Sequence, residues 1–471
     1  MTPGEKALGE KAPGEKAPRT APTKAFASGS RGVLIGLLAL VTMFAFEAIA
    51  VSLVMPTVTA DLNGESLYPI AVVGLLTASI VGMVVSGSWC DARGAGVPLI
   101  LGGALFVLGL TVSGISTSML VFVAGRLLQG LGAGTALTAM YVAVGEAFAP
   151  ALRPRVFSLF TAAWVLPAVV GPVIAGLLVD LAGWRSVFLV VAGFAAVSVI
   201  GVRVALAGRL VRRSAPVVWG RRPWYAVAAA VGVVLLHLAG QRAGGDAVVP
   251  VVVLLVVAVV VLVVAVPRLL PVGTFRCGRG LPSVIVLRGL AGGAFVSVET
   301  FLPLVLQRES GLTPTLAGLV MTTGALGWTA AAVATARAGR PETYTRLMTG
   351  GAVALLLGGL VLLALVPLDH LVGAAVAVAI VGFTLMATGM GMAMPLMSTL
   401  ALDLAPGGRQ GDSAAAVQMS DSLGQSVAAG VIGVVFARWF LLDRETSYLA
   451  GFGLAVLLAA GAVAVVRRTR V

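Results

Sequence analysis

The stretch from Ala247 to Val266 reads AVVPVVVLLVVAVVVLVVAV and contains no charged residue. A helix of about 20 apolar residues crosses the roughly 30 Å hydrocarbon core of a bilayer. The same character extends over the chain of 471 residues, of which 59% are hydrophobic and 11% charged, with a mean hydropathy of +1.05. Soluble domains carry about 25% charged residues. The composition therefore indicates an integral membrane protein.

Apolar windows separated by charged residues, Pro or Gly predict fourteen membrane-spanning helices along the chain. Six precede the basic stretch from Arg209 to Arg222, two follow it, and six complete the chain. We therefore expect an all-α integral membrane fold of two six-helix bundles plus two additional linker transmembrane helices. The expected spans are residues 33–56, 69–89, 97–116, 119–145, 156–180, 186–207, 224–240, 247–267, 282–306, 313–336, 346–366, 371–398, 413–437 and 447–466. The expected divisions are a disordered cytoplasmic tail (1–31), an N-terminal bundle (32–207), a basic cytoplasmic loop (208–223), the linker helices (224–270), a C-terminal bundle (271–466) and a short cytoplasmic tail (467–471).

The basic residues indicate how the helices are oriented, because cytoplasmic loops of membrane proteins collect Lys and Arg. Both tails and the loops after even-numbered helices hold 24 of the 32 basic residues, whereas the opposite loops hold five. Both termini are therefore expected in the cytoplasm, in a multi-pass protein of the cell's inner (plasma) membrane. The net charge of +13 follows this topology and does not form one basic face for nucleic acid. Cys90 and Cys277 lie beside basic loops, so we expect no disulfide framework.

The two outer blocks of helices repeat one another weakly. Helix 4 ends with Glu146 to Pro150 before a basic turn, and helix 12 ends with Asp403 to Pro406 before Arg409, 256 to 257 residues later. Duplicated bundles related by an axis along the membrane normal are a transporter architecture, with the substrate site between them near the midplane. The repeat therefore favours transport.

Two ionisable residues lie at one depth in the first bundle. Glu47 in helix 1 is about 21 Å from the cytoplasmic edge at about 1.5 Å per residue, and Arg126 in helix 4 is about 20 Å from it on the same scale. A charge at the bilayer centre costs at least about 2.5 to 3.5 kcal/mol on insertion scales, so such residues mark pathways and proton relays. We expect Glu47 and Arg126 to neutralise each other or to hold the carboxylate ready to exchange a proton. A permanent structural ion pair is the alternative.

Two further acidic residues lie within spans of the second bundle. Glu299 lies past the middle of helix 9, and Asp421 lies lower in helix 13, three residues after Gln418. We expect both carboxylates to face the cavity between the bundles and to contribute to proton or substrate binding, with Gln418 in the substrate site. A charge near a helix end could instead reach water or a polar neighbour.

Small and aromatic residues complete the candidate site. Gly130 and Gly134 allow close packing on helix 4. The helix 5 residues that interrupt the helix while allowing close approach are Pro167, Gly171, Pro172 and Gly176. The aromatic residues that could line a π-rich cavity suited to lipophilic cations are Phe44, Tyr141, Trp164, Phe295, Phe301 and Trp328. The alternative for these aromatics is ordinary packing or lipid contact.

No enzyme signature competes with transport. The sequence has no Gly-x-x-x-x-Gly-Lys-Ser/Thr phosphate loop and no His/Cys cluster with metal spacing. We therefore expect no enzymatic activity, no cofactor and no metal site, and an ion or substrate gradient as the energy source.

Four motifs resemble those of the major facilitator superfamily, specifically its fourteen-helix drug:proton antiporters. The loop Gly87 to Gly94 resembles the superfamily's cytoplasmic signature, which implies gating contacts for Asp91 and Arg93. Arg126 to Gly130 is similar to Arg-x-x-Gln-Gly, whose Arg is implicated in proton transfer. The segment from Trp164 to Gly176 resembles the antiporter motif, and Phe46 to Pro56 resembles the Leu-Asp-x-Thr … Ala-Leu-Pro stretch, with Glu47 at the Asp position.

The chain departs from this pattern at two places. Ala95 and Gly96 stand where basic residues usually follow the loop signature, and Ile49 and Ser52 replace the polar Thr and Asn of helix 1. The resemblance implies the major facilitator fold and export driven by inward proton flow.

We expect a monomeric, proton-coupled secondary transporter that exports lipophilic drugs or toxic compounds, including cationic ones, by alternating access in the lipid bilayer. Export of a lipid or natural product on the same fold, and a non-transport scaffold or sensor, are the alternative hypotheses.

Overall fold

A computed structural model describes residues 28–64, 67–206, 215–218, 220–244, 248–337, 341–368, 372–439 and 443–470. Residues 1–27 of the predicted disordered tail and half of the predicted basic loop, 208–214 and 219, lie outside these residues, whereas residues 28–31 of the predicted tail begin the first helix. Within them the chain forms fifteen α-helices, joined by short turns. They are α1 (Ser28–Asp61), α2 (Tyr68–Arg93), α3 (Gly96–Gly114), α4 (Met119–Ala147), α5 (Arg153–Ala162), α6 (Val165–Ala182), α7 (Trp184–Leu206), α8 (Arg222–Arg242), α9 (Val248–Leu269), α10 (Leu281–Arg308), α11 (Pro314–Thr335), α12 (Pro341–Leu363), α13 (Val372–Asp403), α14 (Gln410–Trp439) and α15 (Arg444–Val466).

Thirteen helices in the described part are long and apolar enough to span a membrane, and a bent pair can make a fourteenth span. This pair contains α5 and α6 and replaces the straight helix predicted at 156–180; its two arms, Pro150–Ala168 and Val170–Ala182, meet at 43°. The bend lies between Pro167, which has no N–H to donate to the preceding turn, and Pro172, which repeats this loss within α6. The prediction of an all-α membrane fold is confirmed.

Several helices extend beyond the predicted apolar windows. The first was expected to end at residue 56 and the twelfth at residue 398, whereas α1 continues to Asp61 and α13 to Asp403. Hydropathy detects only the part of a helix that lies in hydrocarbon, and the backbone hydrogen bonds continue where side chains turn polar. The predicted windows are therefore shorter than the helices.

The helices pack as two groups. In the first group α4 packs on α2 and α3, and α7 packs on α1 and α3; in the second, α13 packs on α11 and α12, and α10 packs on α14 and α15. Glycine makes the closest approaches possible: a Cβ on Gly134 would lie 2.0 Å from the Ser79 carbonyl oxygen, and one on Gly391 would lie 2.1 Å from that of Trp328. Each group contains its own buried apolar core.

The two groups meet at one end of the molecule. This end, here called the basic end, is where α2 finishes at Arg93, α5 begins at Arg153, α8 begins at Arg222 and the chain finishes near Arg468. There α14 contacts α2 and α4, while α5 contacts α11 and α13.

The linker helices lie beside the two bundles. They pack on each other, and α8 also contacts both α2 and α14, so it bridges the bundles on one side. Most of α9 is exposed, including Val249, Val256 and Val263. An apolar helix with this exposure is suited to contact with lipid chains.

Candidate transport site and bundle interface

A buried ion pair occupies the interior of the first bundle. Glu47 on α1 and Arg126 on α4 are 3% and 5% exposed, and the Arg126 guanidinium donates to the Glu47 carboxylate. It also donates to Gln129 Oε1 at 3.0 Å and to the Ala71 carbonyl oxygen at 3.2 Å. Three helices are therefore joined at one guanidinium group. Protonation of Glu47 would remove its charge and leave Arg126 with neutral acceptors only.

A second buried pair lies in the other bundle. Arg288 on α10 donates to Asp421 Oδ2 on α14 at 3.1 Å, and to Ser398 Oγ on α13 at 3.4 Å. Ser398 in turn donates to the Tyr141 hydroxyl of α4 at 3.4 Å, which carries the network across to the first bundle. The sequence analysis selected Asp421 but did not identify its partner. The signal was available, because Arg288 also lies within an apolar span.

Besides Arg288 Nε, two polar atoms at this second pair have no hydrogen-bond partner among the described residues. They are Gln418 Nε2 and Asp421 Oδ1, and both side chains are buried. Because a buried polar atom without a partner costs roughly 1–3 kcal/mol, such atoms in a transporter interior are candidates for binding water, a proton or a ligand. The neighbourhood of Asp421 can therefore accept an additional polar group.

Glu299 lies apart from both pairs. Its side chain is exposed on α10 and makes no ion pair within the described part of the chain. Eighteen residues separate it from the first residue of α10, about 27 Å along the helix. The structure therefore does not bring Glu299 together with Glu47 or Asp421.

The predicted gating loop contacts the other bundle through Asp91. Its carboxylate accepts hydrogen bonds from the backbone N–H groups of Gly411 at 2.7 Å and Asp412 at 2.9 Å, in the first turn of α14. An acidic side chain satisfies the free N–H groups of a helix N-terminus and interacts favourably with its dipole. Asp91 therefore caps a helix of the opposite bundle. Arg93 is exposed and has no partner among the described residues.

Two glycines make this contact possible. A Cβ on Gly411 would lie 2.1 Å from the Gly87 carbonyl oxygen, and a Cβ on Gly87 would lie 2.9 Å from the Gly411 carbonyl oxygen. Side chains at either position would separate α2 from α14. The close approach of the two helices thus explains why glycine occupies position 87 at the start of the loop signature.

A second polar contact closes the opposite side of the basic end. Arg153 at the start of α5 forms an ion pair with Asp403 at the end of α13 and donates to the Gly145 carbonyl oxygen at 2.8 Å. Arg155 donates to the Ala336 carbonyl oxygen, just after α11, at 3.3 Å. The sequence shows the repeated helix ends at Glu146 and Asp403, but it does not predict that Arg153 of the first bundle pairs with Asp403 of the second.

The aromatic candidates separate into different environments. Phe44 packs edge-on against Phe106, with ring centroids 4.6 Å apart, inside the first core, and Tyr141 lies at the bundle interface. Phe295 packs against Trp328 at 5.0 Å, and Trp164 is 47% exposed at the α5–α6 break.

Phe301 lies in the core of the second bundle and not between the bundles, and Phe44 likewise lies in a core. Phe301 contacts Tyr448 and lines an apolar cavity of about 300 Å³ with residues of α14 and α15.

The antiporter-motif residues place α6 against α1. A Cβ on Gly171 would lie 3.5 Å from Ile49 and 3.8 Å from Phe46, so this position faces the turn that carries Glu47. Pro167 is buried, whereas Pro172 is exposed. A Cβ on Gly176 would have no neighbour within 4 Å. The motif therefore has one close contact with the helix of the buried carboxylate.

The far end of the first bundle carries an exposed acidic group. Asp61, the last residue of α1, accepts hydrogen bonds from Trp184 Nε1 and from Arg185, both at 3.0 Å. The hydrogen bond from Trp184, followed by that from Arg185, holds the pKa of Asp61 below its usual value. Asp61 therefore stays ionised at neutral pH and is not a candidate proton carrier.

Comparison with known proteins identifies the fold. The sequence model of the Major Facilitator Superfamily matches residues 35–429. The chain belongs to the major facilitator superfamily. As a member, it is a multi-pass membrane transporter.

The relatives of this superfamily member include efflux proteins. A probable multidrug-efflux transporter of Mycobacterium tuberculosis is 28% identical over 89% of this chain and 90% of its own length. Multidrug resistance protein 3 of Bacillus subtilis is 24% identical over 89% of this chain and 82% of its own length. Among solved structures, the human organic anion transporter MFSD10 superposes with a TM-score of 0.66 at 16% identity, covering 92% of this chain and all of that one.

Proposed function

We propose that this superfamily member is a proton-coupled exporter of lipophilic, in particular cationic, compounds. The observation that carries the proposal is the buried Glu47–Arg126 pair, since an ionisable pair inside a membrane bundle is costly and marks a transport or proton pathway. Its contact with α1, α2 and α4 means that a change of protonation would affect three helices at once.

The contacts at the basic end support a mechanism of alternating access. Asp91 on α14 and Arg153 on Asp403 hold the two bundles together on opposite sides of that end. With the basic end in the cytoplasm, as the distribution of Lys and Arg favours, this conformation faces outward. In our scheme a proton from outside binds the Glu47 carboxylate, the ion pair with Arg126 is lost, and the bundles rock to open the basic end.

The cargo site is proposed between the bundles. Asp421 offers a carboxylate oxygen without a partner in the described structure, and Phe295 and Trp328 offer aromatic faces. This combination suits an aromatic or lipophilic cation, which interacts with both negative charge and π-faces. The bacterial relatives are a multidrug-efflux transporter and a multidrug resistance protein, which supports a drug as the cargo.

The test is ΔpH-driven accumulation of a fluorescent lipophilic cation in inverted membrane vesicles. We expect Glu47→Gln to abolish accumulation driven by ΔpH, while exchange of the dye down its own gradient persists, because Gln keeps a hydrogen-bond acceptor but cannot carry the proton. Glu342→Gln, an exposed carboxylate at the start of α12, is the matched control and is expected to behave as the wild type. Undiminished ΔpH-driven accumulation by Glu47→Gln would remove Glu47 from the mechanism.

A lipid or lipid-like natural product is the second cargo class, and one observation favours it. The apolar face of α6 is exposed, including Leu166, Val173 and Leu181. An exposed apolar face beside the bundle interface would allow cargo to move directly between the protein and the bilayer. If the cargo is a lipid, adding a fluorescent lipid to the vesicles should drive a proton flux, whereas adding the lipophilic cation should not.

A further inference from the structure

Five arginines line one cavity at the basic end, away from the transport site. The cavity has a volume of about 590 Å³, and its lining residues are Arg276, Cys277, Gly278, Arg279, Arg467, Arg468 and Arg470. They come from the turn between α9 and α10 and from the short turn that follows α15. Two segments about 190 residues apart in sequence thus form one basic site.

Backbone hydrogen bonds fix the two segments against each other. The N–H of Gly280 donates to the Arg468 carbonyl oxygen at 2.9 Å, and the Arg468 guanidinium donates to the Cys277 carbonyl oxygen at 3.4 Å. Ser283 in the first turn of α10 donates to the Gly278 carbonyl oxygen at 2.6 Å. The cavity is therefore built by ordered backbone, and the positive end of the α10 dipole adjoins it.

The charges in this cavity are not balanced by any acidic group among the residues that the structure describes. Within the described part of the chain no carboxylate lines it, and none of its five arginines forms an ion pair. Other arginines at the basic end do have acidic partners: Arg153 pairs with Asp403, and Arg222 pairs with Asp412 at 2.7 Å. Ordinary cytoplasmic arginines placed by topology would point separately into water, whereas these five surround a common space. Their mutual repulsion would be relieved by an anion with several acceptor oxygens.

Apolar residues beside the arginines indicate the source of that anion. Val272 is 98% exposed and Phe275 is 65% exposed, in the same turn as Arg276. The turn directly follows α9, which is the most apolar of the spans and mostly exposed. Exposed apolar side chains next to arginines at a helix end are suited to the membrane interface, where acyl chains and phosphates meet.

We propose that this cavity, the arginine cavity, binds the phosphate headgroup of an anionic phospholipid. Phosphate oxygens accept bidentate hydrogen bonds from guanidinium groups, while Val272 and Phe275 contact the acyl region. The bound lipid would join the chain's C-terminal segment to the α9–α10 turn. The site does not depend on the proposed direction or cargo of transport.

Cys277 allows the proposal to be tested in the unaltered protein. This thiol lines the arginine cavity and is partly exposed, whereas the only other cysteine, Cys90, is buried. The purified protein is placed in nanodiscs of phosphatidylcholine alone or with cardiolipin, and is treated with an uncharged maleimide. Modification of Cys277 is followed by peptide mass spectrometry. We expect cardiolipin to slow modification at least about fivefold, the effect of a coupling of about 1 kcal/mol.

Two comparisons decide the origin of any protection. Arg276→Gln with Arg470→Gln should abolish the difference between the two lipid compositions, whereas Arg337→Gln with Arg346→Gln, which removes two arginines from outside the cavity, should preserve it. Inorganic phosphate added to phosphatidylcholine nanodiscs should give no protection.

Three results would overturn the proposal. They are equal modification of Cys277 in both lipids, equal protection in the Arg276/Arg470 variant, and full protection by inorganic phosphate alone. The first two would leave no lipid site in the cavity. The third would assign it to a soluble anion.

Discussion

At the scale of residues, the contribution of the Glu47–Arg126 pair to stability can be measured separately from its contribution to transport. Removing one partner of a buried ion pair costs about 3–5 kcal/mol, because the other charge stays buried without compensation, whereas replacing both by apolar residues is often close to neutral. We expect Glu47→Leu to lower the free energy of unfolding in detergent by about 3–5 kcal/mol and Glu47→Leu/Arg126→Met to recover most of that loss. Denaturant unfolding followed by tryptophan fluorescence measures both.

The double variant also distinguishes the two readings of the pair. If Glu47 carries the proton, Glu47→Leu/Arg126→Met remains folded but does not accumulate dye against ΔpH. Full transport by this folded double variant would make the pair purely structural. If Glu47→Leu/Arg126→Met loses as much stability as Glu47→Leu alone, the buried charge of Arg126 is not the cause of the loss.

Depth alone matched Glu47 with Arg126, whereas Arg288 was left without a partner although it also lies within an apolar span. Glu47 and Arg126 could be matched because counting along two helices gives the depth of each residue, and depth alone limits the possible partners. Arg288 and Asp421 lie on α10 and α14, whose contact depends on how helices arrange around the bundle. Hydropathy carries no information on which helices are neighbours. The contacts of Ser398 with Arg288 and Tyr141 depend on the same arrangement.

At the scale of elements, the approach of α2 to α14 depends on glycine. A Cβ on Gly411 would lie 2.1 Å from the Gly87 carbonyl oxygen and 3.0 Å from Cys90 Cβ, and backbone cannot give way as a flexible side chain can. Overpacking of this kind costs about 1–3 kcal/mol. Because the cost applies only while α2 and α14 touch, we expect Gly411→Ala to shift the equilibrium about 5- to 150-fold away from the conformation with a closed basic end.

Cys90 reports this shift. It is fully buried beside the α2–α14 contact, so its rate of modification by a thiol reagent measures the opening of the basic end. Gly411→Ala should accelerate modification of Cys90, while Gly193→Ala, at a helical glycine with open space around it, should leave the rate unchanged. An unchanged rate in Gly411→Ala would mean that the two helices do not meet this closely.

The break between α5 and α6 could be predicted from the sequence, whereas the capping of a helix by a distant carboxylate could not. Pro167 and Pro172 were recognised as interruptions, and the loss of their N–H groups accounts for the bend. The capping of α14 by Asp91 was expected only as a gating contact, since a local sequence does not show which distant helix N-terminus a carboxylate will reach. The effect of a proline on its own helix can be predicted from the local sequence, whereas a contact between residues 320 positions apart can be identified only once the fold is known.

At the scale of the whole molecule, the apolar periodicity predicts the number of helices and the fold, but not the conformational state. Each helix is specified by its own hydropathy, while the state depends on a few polar contacts at the basic end that differ little in energy from their alternatives. Arg153 and Asp403 form one of these contacts, between α5 of the first bundle and α13 of the second. They allow the state to be changed without altering either core.

Reversal of this charge pair is the last prediction. Arg153→Asp and Asp403→Arg, each alone, place like charges in contact and should open the basic end, which accelerates modification of the buried Cys90. The double reversal restores opposite charges and should slow modification again. The recovery should be partial, because Arg153 also donates to the Gly145 carbonyl oxygen, which an aspartate cannot do. Arg346→Asp, an exposed arginine on α12, is the control for net charge. If both single reversals leave Cys90 as protected as in the wild type, the ion pair does not hold the bundles together, and the other contacts, including that of Asp91 with α14, close the basic end.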